Sequence, residues 1–327
     1  MSKPVVFSGI QPSGNLHVGN YLGAVKHWIE LQDSDKYDCY FCIVDYHSLT
    51  GNRGADERRE QTLTTAAELL ALGIDPNKST LFIQSHVPEC TELAWIFNTV
   101  TPVVELERMT QFKDKSKQQT KNINAGLFTY PVLQAADILL YHGELVPVGA
   151  DQVQHIELTR NITRWFNKRY TEYFLEPKPL LTEAPKVMSL LEPDKKMSKS
   201  LGEGHVIELA DEPKVIENKL KKAVTATTGG GKAPGVDNLL LLLEHFADGD
   251  VCQQFVKAEK AGKISYSELK GVVAEAVASS FADFRERRAH LLSDPAVLKA
   301  QLSDGAKKAR VVAEKTMKEA RELAGIK

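Results

Sequence analysis

Two segments of the chain carry residue types suited to binding phosphate. Residues 8–20 combine glycine, proline and short polar side chains. Residues 196–200, Lys-Met-Ser-Lys-Ser, combine lysines with hydroxyls and follow Pro193-Asp194-Lys195. Ammonium groups and backbone N–H groups are the donors that proteins offer to phosphate oxygens. Alone, either segment also fits an ordinary turn or a solvated basic loop, but together they predict a nucleotide site.

Residues 8–20 join an apolar run to a helical pattern. Val5-Val6-Phe7 is typical of a strand, and Val18, Leu22, Val25 and Ile29 recur at helical spacing. The polar residues between them therefore fall in a loop and a first helical turn, where unpaired N–H groups favour anions. The segment lacks both the dinucleotide G-x-G-x-x-G and the P-loop G-x-x-x-x-G-K-[ST] patterns, so neither common motif supports the site.

The N-terminal part alternates short apolar strands with helical patterns. After Val5-Val6-Phe7, strands are predicted at residues 39–44 and 81–83, with helices to about residue 32 and over 56–72. Apolar strands separated by helices are typical of a parallel sheet covered on both faces. Ligands of such sheets bind beyond the carboxyl ends of the strands. The segments expected to form the site are residues 9–20, 45–47, 85–86 and 149–152.

The middle of the chain predicts an insertion into this alternation. Residues 89–113 have a helical pattern that breaks near Pro102. Residues 114–125 are polar and rich in lysine, and we expect them to be mobile. Tyr130-Pro131 is predicted to begin the next helix, because proline fits the first helical position. The insertion into the sheet domain thus covers about residues 104–130.

The remainder predicts one more strand and then helices. Leu145–Val148 is typical of a strand, and Asp151 is predicted to cap a long helix that ends near Phe166. The expected fold is α/β, with a parallel-sheet domain over residues 1–200 and an all-α helical domain over residues 201–327. Residues 227–235 are predicted to be a loop. We expect the last helix to pack back on the first domain.

The composition is that of a globular protein without a global bias toward a polyanion. The 327 residues are 43% hydrophobic and 26% charged, and the formal net charge is −2. A nucleic-acid surface would therefore be local, although local lysine excesses also occur on ordinary helix faces. The chain shows neither an apolar signal segment nor a run long enough to span a membrane, so we expect a cytoplasmic protein.

Cys39 and Cys42 form a C-x-x-C pattern inside an apolar run. No second cysteine or histidine pair stands at metal-binding spacing. We therefore predict reduced core thiols rather than a redox or zinc site.

The motifs together resemble those of the class I aminoacyl-tRNA synthetases. His17-Val18-Gly19-Asn20 is close to the HIGH signature, and residues 196–200 are KMSKS. The surrounding sequence is similar to the bacterial tryptophanyl branch of that family. The similar segments are residues 7–14, 108–113, 135–141 and 146–152. The resemblance implies a Rossmann-like catalytic domain that activates L-tryptophan with ATP to tryptophanyl-adenylate and pyrophosphate, then transfers tryptophan to the 3′ end of tRNA(Trp).

The resemblance also implies which residues bind ATP. His17 would face the phosphates, and Lys196 and Lys199 would bind the pyrophosphate portion from a loop that closes and opens. Lys113 would add a further positive charge. The implied ATP-binding residues are Gln11, Pro12, Ser13, Gly19, Asn20, Gly149, Ala150, Asp151, Val187, Lys196, Met197, Ser198, Lys199 and Ser200. Mg²⁺ is expected to enter with ATP, and no protein metal site is expected.

Asp137 is the residue expected to select tryptophan. An indole N–H only donates, and a fixed carboxylate is the matching acceptor. Asp137 follows Gln134 by one helical turn, so both can face one pocket. The resemblance adds further tryptophan-binding residues: Phe7, Tyr130, Val146, Val148, Gln152 and His47. The alternatives are a surface or ion-paired role for Asp137 and an ordinary loop position for His47.

Partners follow from the same resemblance. The helical C-terminal part is expected to meet the tRNA anticodon, with phosphate contacts from Lys307, Lys308, Arg310, Lys315 and Lys318. A homodimer is expected, with an apolar interface that involves the helices after Trp95.

Three other functions remain open from the sequence. The tyrosine enzyme of the same fold also needs an acceptor, for a phenol O–H. A small nucleotidyltransferase shares the histidine-glycine loop, but KMSKS followed by a long helical domain disfavours it. A non-catalytic tRNA-binding paralogue is disfavoured by the presence of His17, Lys196, Lys199 and Asp137.

Overall fold

A computed structural model describes residues 3–110, 123–149, 152–181, 185–225 and 234–326. The chain divides into two compact units. The first unit comprises Met1–Gly14, His27–Glu183 and Asp294–Lys327, and the second comprises Asn15–Lys26 and Ala184–Ser293. Residue 200, the predicted domain boundary, falls inside the second unit, which also includes a short N-terminal segment. The last helix, which we expected to pack back on the first domain, groups with the first unit.

The first unit is built on a five-stranded parallel sheet, as predicted. Its strands are β1 (Val5–Ile10), β2 (Asp38–Ile43), β3 (Ser79–Ile83), β4 (Leu145–Val148) and β5 (Lys178–Leu181). The order is β3-β2-β1-β4-β5, so the chain reverses its direction of winding between β1 and β4. A reversal of this kind opens a crevice at the carboxyl ends of the strands. The sequence analysis missed β5, a short strand that contains Pro179.

Helices cover this sheet and continue through the second unit. Those before β4 are α1 (Val18–Asn20), α2 (Lys26–Asp33), α3 (Asp45–Ser48), α4 (Ala55–Leu72), α5 (Glu89–Asn98), α6 (Val103–Glu107) and α7 (Ala125–Leu139). Those after β4 are α8 (Val153–Arg169), α9 (Pro213–Lys222), α10 (Pro234–Phe246), α11 (Gly249–Lys260), α12 (Tyr266–Ser280), α13 (Ala282–Ser293) and α14 (Pro295–Ala324). A π-helical turn, Tyr21–Val25, lies between α1 and α2.

The last helix, α14, packs within the first unit against β3, α4 and α5. Gly305 makes this close approach possible, because a Cβ there would come within 1.8 Å of the Leu81 carbonyl oxygen. Arg321 pairs with Glu92 of α5. The helix therefore belongs to the layer that covers the sheet.

Two predicted helix boundaries were wrong, and a third falls on a residue that the structure does not describe. α7 begins at Ala125, since Asn124 caps it by accepting from Leu127 N at 2.9 Å, and Pro131 lies in its interior. The predicted cap Asp151 lies outside the described residues, and α8 begins directly after Gln152. Pro234 and Gly235 belong to α10 instead of the predicted loop, because proline suits a first helical turn.

Stacked aromatic rings fill the centre of the first unit. Tyr141 contacts the rings of Phe7, Tyr40 and Phe82, with centroid separations of 5.6, 5.1 and 5.3 Å. Cys39 and Cys42 are buried free thiols, as predicted, and burial raises the pKa of Cys39 to about 11.

Neither a membrane-spanning helix nor a metal-binding group is found among the described residues. None of the described helices is both long and apolar enough to cross a membrane. Within the same residues, no group of three or more His, Cys, Asp or Glu side chains is arranged to hold a metal ion.

Candidate active site

In the first unit, the loops that follow β1, β2 and β3 are tied to one another. Gln11 Nε2 donates to the His47 carbonyl at 3.3 Å. Asp45 Oδ1 accepts from Ser85 N at 2.9 Å. These bonds hold the polar segments at the carboxyl ends of adjacent strands in one cluster, where a parallel sheet places its ligands.

Asp137 lies in that cluster with only 3% of its surface exposed. Gln84 Nε2 donates to both carboxylate oxygens, at 2.7 Å to Oδ1 and 2.8 Å to Oδ2. His47 Nε2 donates to Oδ2 at 2.8 Å. A buried carboxylate needs such partners, because an unpaired one would carry the full desolvation cost. The burial of Asp137 excludes the surface alternative, whereas its contact with His47 is the kind of pair that the ion-paired alternative describes.

Gln84 belongs to this cluster and was not predicted from the sequence. It ends the apolar run Leu81-Phe82-Ile83 and is 1% exposed. Its Oε1 accepts from Tyr46 N at 3.0 Å while its amide nitrogen holds Asp137. The available signal was a polar residue at the carboxyl end of a buried strand, one position before the segment that the sequence analysis selected.

Tyr130 and His155 form a second buried polar pair in this unit. Tyr130 Oη lies 2.9 Å from His155 Nε2, and the Tyr130 ring meets the His47 ring edge to face at 6.2 Å. Burial raises the pKa of Tyr130 to about 12, so the phenol is neutral at physiological pH. His155, on α8 and 2% exposed, was also missed from the sequence.

The other tryptophan candidates differ in how far they are buried. Phe7, Val146 and Val148 are buried in the same hydrophobic cluster as Ala135 and Ile138 of α7. Gln134 and Gln152 are half-buried. Among the remaining candidates, Lys113, Ala150 and Asp151 lie outside the described residues.

A cavity of about 350 Å³ opens beside the pair of His47 and Tyr130. Its other walls come from α5, α7, the loop before α7 and the residues that follow α3. They include Leu49, Thr91, Trp95, Asn98, Asn124 and Leu133. Trp95 is 71% exposed, an unusual state for an indole side chain.

In the second unit, His17 and the KMSKS segment lie together. The His17 backbone N–H donates to Asn20 Oδ1 at 3.1 Å, which fixes the start of α1. A Cβ at Gly19 would lie 3.0 Å from the His17 ring and 3.8 Å from Met197 Cβ. The glycine of this motif therefore leaves room for the histidine ring beside the KMSKS segment.

The KMSKS segment is one arm of a short antiparallel pairing. Met197 N donates to the Val187 carbonyl at 3.0 Å, and Met188 pairs with Lys196. Asn238 of α10 clamps the other arm, with its amide bonded to both Met188 N and Met188 O. Ser198 Oγ caps the 3₁₀ helix Lys199–Leu201. These contacts bury Met197 and Val187 and leave the Lys196 side chain at the surface.

The electrostatics of His17 differ from those of an ordinary histidine. Burial, followed by the positive charges of Lys199 and Lys196, lowers the pKa of His17 to about 4. Its Nδ1 is buried and has no hydrogen-bond partner among the described residues. The imidazole is therefore neutral at physiological pH, and the lysines supply the positive charge.

The implied ATP residues are divided between the two units. Gln11, Pro12, Ser13 and Gly149 belong to the first unit. Gly19, Asn20, Val187 and residues 196–200 belong to the second. Of the first group, Gln11 and Ser13 are exposed and Pro12 is buried.

Comparison with known proteins gives concordant results. The family model of class I tRNA synthetases (W and Y) matches residues 1–282. The tryptophan–tRNA ligase of Clostridium tetani is 46% identical over 97% of this chain and 94% of its own.

Solved structures agree with the family match. The tryptophanyl-tRNA synthetase of Campylobacter jejuni, complexed with ADP and tryptophan, is similar with a TM-score of 0.87 at 34% identity, covering 98% of this chain and 99% of that one. The enzyme of Mycoplasma pneumoniae gives 0.87 at 31% identity, covering 100% and 99%. The chain belongs to the class I tRNA synthetases of the tryptophan and tyrosine family.

Proposed function

We propose that the protein activates L-tryptophan with ATP and transfers it to the 3′ end of tRNA(Trp). The observation that carries this proposal is the buried Asp137 carboxylate, held by Gln84 and His47 in a chain of this family. The proposal is supported by the tryptophan–tRNA ligase that is 46% identical to this chain. With this activity, the protein is expected to be located in the cytoplasm.

Selection of tryptophan is assigned to Asp137. From the described residues its Oδ1 accepts one bond, donated by Gln84, and a carboxylate oxygen can accept two. An indole N–H supplies the second bond. Because Gln84 and His47 already fix the carboxylate, little reorganisation accompanies binding. Gln134, Gln152, Tyr130, Phe7, Val146 and Val148 are proposed as the remaining contacts of the amino acid.

The first reaction joins tryptophan to the α-phosphate of ATP. A carboxylate oxygen of tryptophan attacks the α-phosphorus, a new P–O bond forms, and the bond to the bridging oxygen of the β-phosphate breaks. Pyrophosphate leaves with the electron pair of that bond, and Mg²⁺ accompanies ATP as part of the substrate. Lys196 and Lys199 offset the negative charge that develops on the leaving group. Neutral His17 donates a hydrogen bond to the phosphates without adding a charge.

The second reaction transfers tryptophan to tRNA. A 3′-terminal ribose hydroxyl attacks the carbonyl carbon of the adenylate, and AMP leaves. Of the predicted phosphate contacts, Lys307 pairs with Asp304, Lys308 donates to the Pro76 carbonyl and Arg310 donates to the His86 carbonyl. Lys315 and Lys318 form neither a hydrogen bond nor an ion pair with another described residue. Those two lysines are therefore the preferred candidates for tRNA phosphates.

The homodimer expected from the resemblance is part of the proposal. Trp95, Val103, Val104 and Leu49 of the first unit are exposed by 71, 61, 47 and 54%. Large apolar side chains at this exposure are typical of a surface that a partner covers. A Trp95→Asp variant should shift the mass measured by light scattering from two chains to one, whereas Tyr266→Asp should leave it unchanged.

Exchange of labelled pyrophosphate into ATP tests the activity directly. The exchange should require tryptophan and should be absent with tyrosine alone. Charging of tRNA(Trp) with labelled tryptophan tests the second step. Exchange with tyrosine alone would move the assignment to the tyrosine enzyme, and no exchange with any amino acid would indicate a non-catalytic paralogue.

A further inference from the structure

Asn15, two residues before His17, stands at a junction of three segments in the second unit. Its carbonyl accepts from Lys199 Nζ at 2.7 Å. Its side-chain Oδ1 accepts from Arg288 Nη2 of α13 at 2.9 Å. Its Nδ2 donates to Glu208 Oε2 at 2.8 Å. One residue thus contacts a KMSKS lysine, a helix of the helical region and the segment that precedes α9.

The backbone that follows Asn15 is paired with residues 207–209. Val18 N donates to the Ile207 carbonyl at 3.0 Å, and Leu209 N donates to the Leu16 carbonyl at 2.9 Å. Glu208 lies within this pairing. The carbonyl that receives Lys199 therefore has a defined direction.

The residue type matters as well as its place. An amide side chain has both an acceptor and a donor, so it can join the guanidinium of Arg288 to the carboxylate of Glu208. An aspartate would keep the acceptor and lose the donor. An aliphatic residue would leave Arg288 and Glu208 without this shared partner.

The anchoring continues from Glu208 toward α9. Glu208 N donates to Asp211 Oδ2 at 2.9 Å, and the same oxygen pairs with Lys219 Nζ of α9 at 2.6 Å. Both side chains of that ion pair are nearly buried, with 11 and 13% exposure. A buried ion pair holds its geometry more firmly than a solvated one, since breaking it leaves a charge unpaired.

We infer that Asn15 is a positioning residue through which α13 sets the place of the Lys199 ammonium. This inference rests on the proposed function, in which Lys199 binds the pyrophosphate portion of ATP. The backbone pairing involves Leu16 and Val18, whereas Asn15 itself is held through its side chain, so loss of the Arg288 bond would loosen the Asn15 carbonyl and with it Lys199. The consequence falls on turnover rather than on the binding of tryptophan, whose proposed contacts lie in the first unit.

Pyrophosphate exchange on purified full-length variants tests the inference. Asn15→Ala and Arg288→Ala should each lower kcat by about tenfold with the KM for tryptophan unchanged, since a hydrogen bond to a charged group is lost. Arg287→Ala is the matched control, because that arginine is the exposed neighbour of Arg288 on α13 and, within the described part of the chain, its side chain bonds only to the Asp283 carbonyl of its own helix. It should retain wild-type kcat.

A second background separates positioning from a general structural role. If Asn15 acts through Lys199, then Asn15→Ala in a Lys199→Ala protein should change kcat less than twofold. An unchanged tenfold loss in that background, or a wild-type kcat for Asn15→Ala alone, would overturn the inference. Thermal unfolding of each variant identifies any that fail to fold.

Hydrogen exchange gives a readout that does not depend on activity. Peptides covering residues 196–200 should exchange about ten times faster in Arg288→Ala than in wild type or Arg287→Ala, because the loop loses its anchor. If residues 196–200 of Arg288→Ala exchange their amide hydrogens at the wild-type rate, the inference is overturned, even when the enzyme is active. If Arg288→Ala shows this difference in hydrogen exchange but the wild type gives no tryptophan-dependent pyrophosphate exchange, only the proposed function is refuted.

Discussion

The two candidate sites handle their polar groups in opposite ways. Around Asp137 both carboxylate oxygens have partners, and Gln84 uses both ends of its amide. Around His17 the imidazole Nδ1 has no partner among the described residues, and two lysines contribute positive charge. The polar groups of the first site are hydrogen-bonded within the protein, whereas the second site carries positive charge that suits an anion.

This difference matches what each site is proposed to bind. An indole N–H is a weak, neutral partner, so a site for it must be ordered beforehand to discriminate. A polyphosphate carries several negative charges, and these attract the lysines without a binding site that is fully ordered beforehand. We therefore expect substitutions at the first site to change selectivity and substitutions at the second to change turnover.

Replacing Lys199 with alanine should give the largest effect. The variant loses a positive charge opposite the leaving pyrophosphate, so kcat for exchange should fall by about 10²–10³ while the KM for tryptophan stays unchanged. Lys195→Ala is the control, since Lys195 is an exposed neighbour that pairs with Glu192. An equal loss for Lys195→Ala would indicate that only the net charge of the segment matters.

Asp137→Asn should lower kcat/KM for tryptophan by about 10², because the new amide can place its NH₂ against the NH₂ of Gln84. The wild type should reject a tryptophan analogue with sulfur in place of the indole N–H by on the order of 10⁴. The variant should reduce this preference to about tenfold. Competitive exchange assays with both amino acids measure the ratio, and Asp56→Asn, at an exposed position, should retain it.

A preserved preference in Asp137→Asn would contradict the assignment of Asp137 as the acceptor. It would also remove the contrast between the two sites, since neither would then carry selectivity.

How far the sequence predicted these sites depended on local signals. The parallel sheet, the two segments predicted to bind phosphate and Asp137 were identified from motifs and periodicity within short stretches. Gln84, directly after β3, and His155, within α8, were missed, because a single buried polar residue does not stand out until its partner is known. Both partners lie far along the chain, at Asp137 and Tyr130.

Element boundaries failed for a similar reason. Proline is favourable at a first helical position, which placed the start of α7 at Tyr130-Pro131. The cap that decides the boundary is Asn124, in a stretch with no hydrophobic period. We expected the last helix to pack back on the first domain, but the role of Gly305 in its close packing becomes apparent only when Leu81 lies beside it.

Titration of His17 examines the charge of the second site. Its pKa of about 4 lies below the ordinary 6.5, so the unfolded chain binds a proton that the folded chain does not between those values. The contribution of His17 to folding stability should therefore be fully present above pH 6.5 and should be lost as the pH falls toward 4. By pH 4.5 the loss should be on the order of 2–3 kcal/mol in the free energy of unfolding.

Urea unfolding of wild type and His17→Gln at pH 7 and 4.5 isolates this contribution, since the other titrating groups are common to both proteins. The difference between the two proteins should change with pH by that amount. NMR should show the pKa of His17 rising in Lys199→Ala, because a neighbouring positive charge is removed. An imidazole that titrates near 6.5 in the wild type would contradict the burial of His17 beside the lysines.

Gln84→Leu should give the smallest effect and tests whether the first site is stabilised independently of its substrate. The change removes the donor to Asp137 and the acceptor for Tyr46 N, so the free energy of unfolding should fall by about 1–3 kcal/mol. The charge of Asp137 and its bond to His47 remain, so tryptophan-dependent exchange should stay within about tenfold of wild type. Gln254→Leu, at an exposed helix position, should change neither quantity. A loss of exchange without a loss of stability would mean that Gln84 contacts the substrate directly, and the first site would then be incomplete without tryptophan, as the second is proposed to be without phosphate.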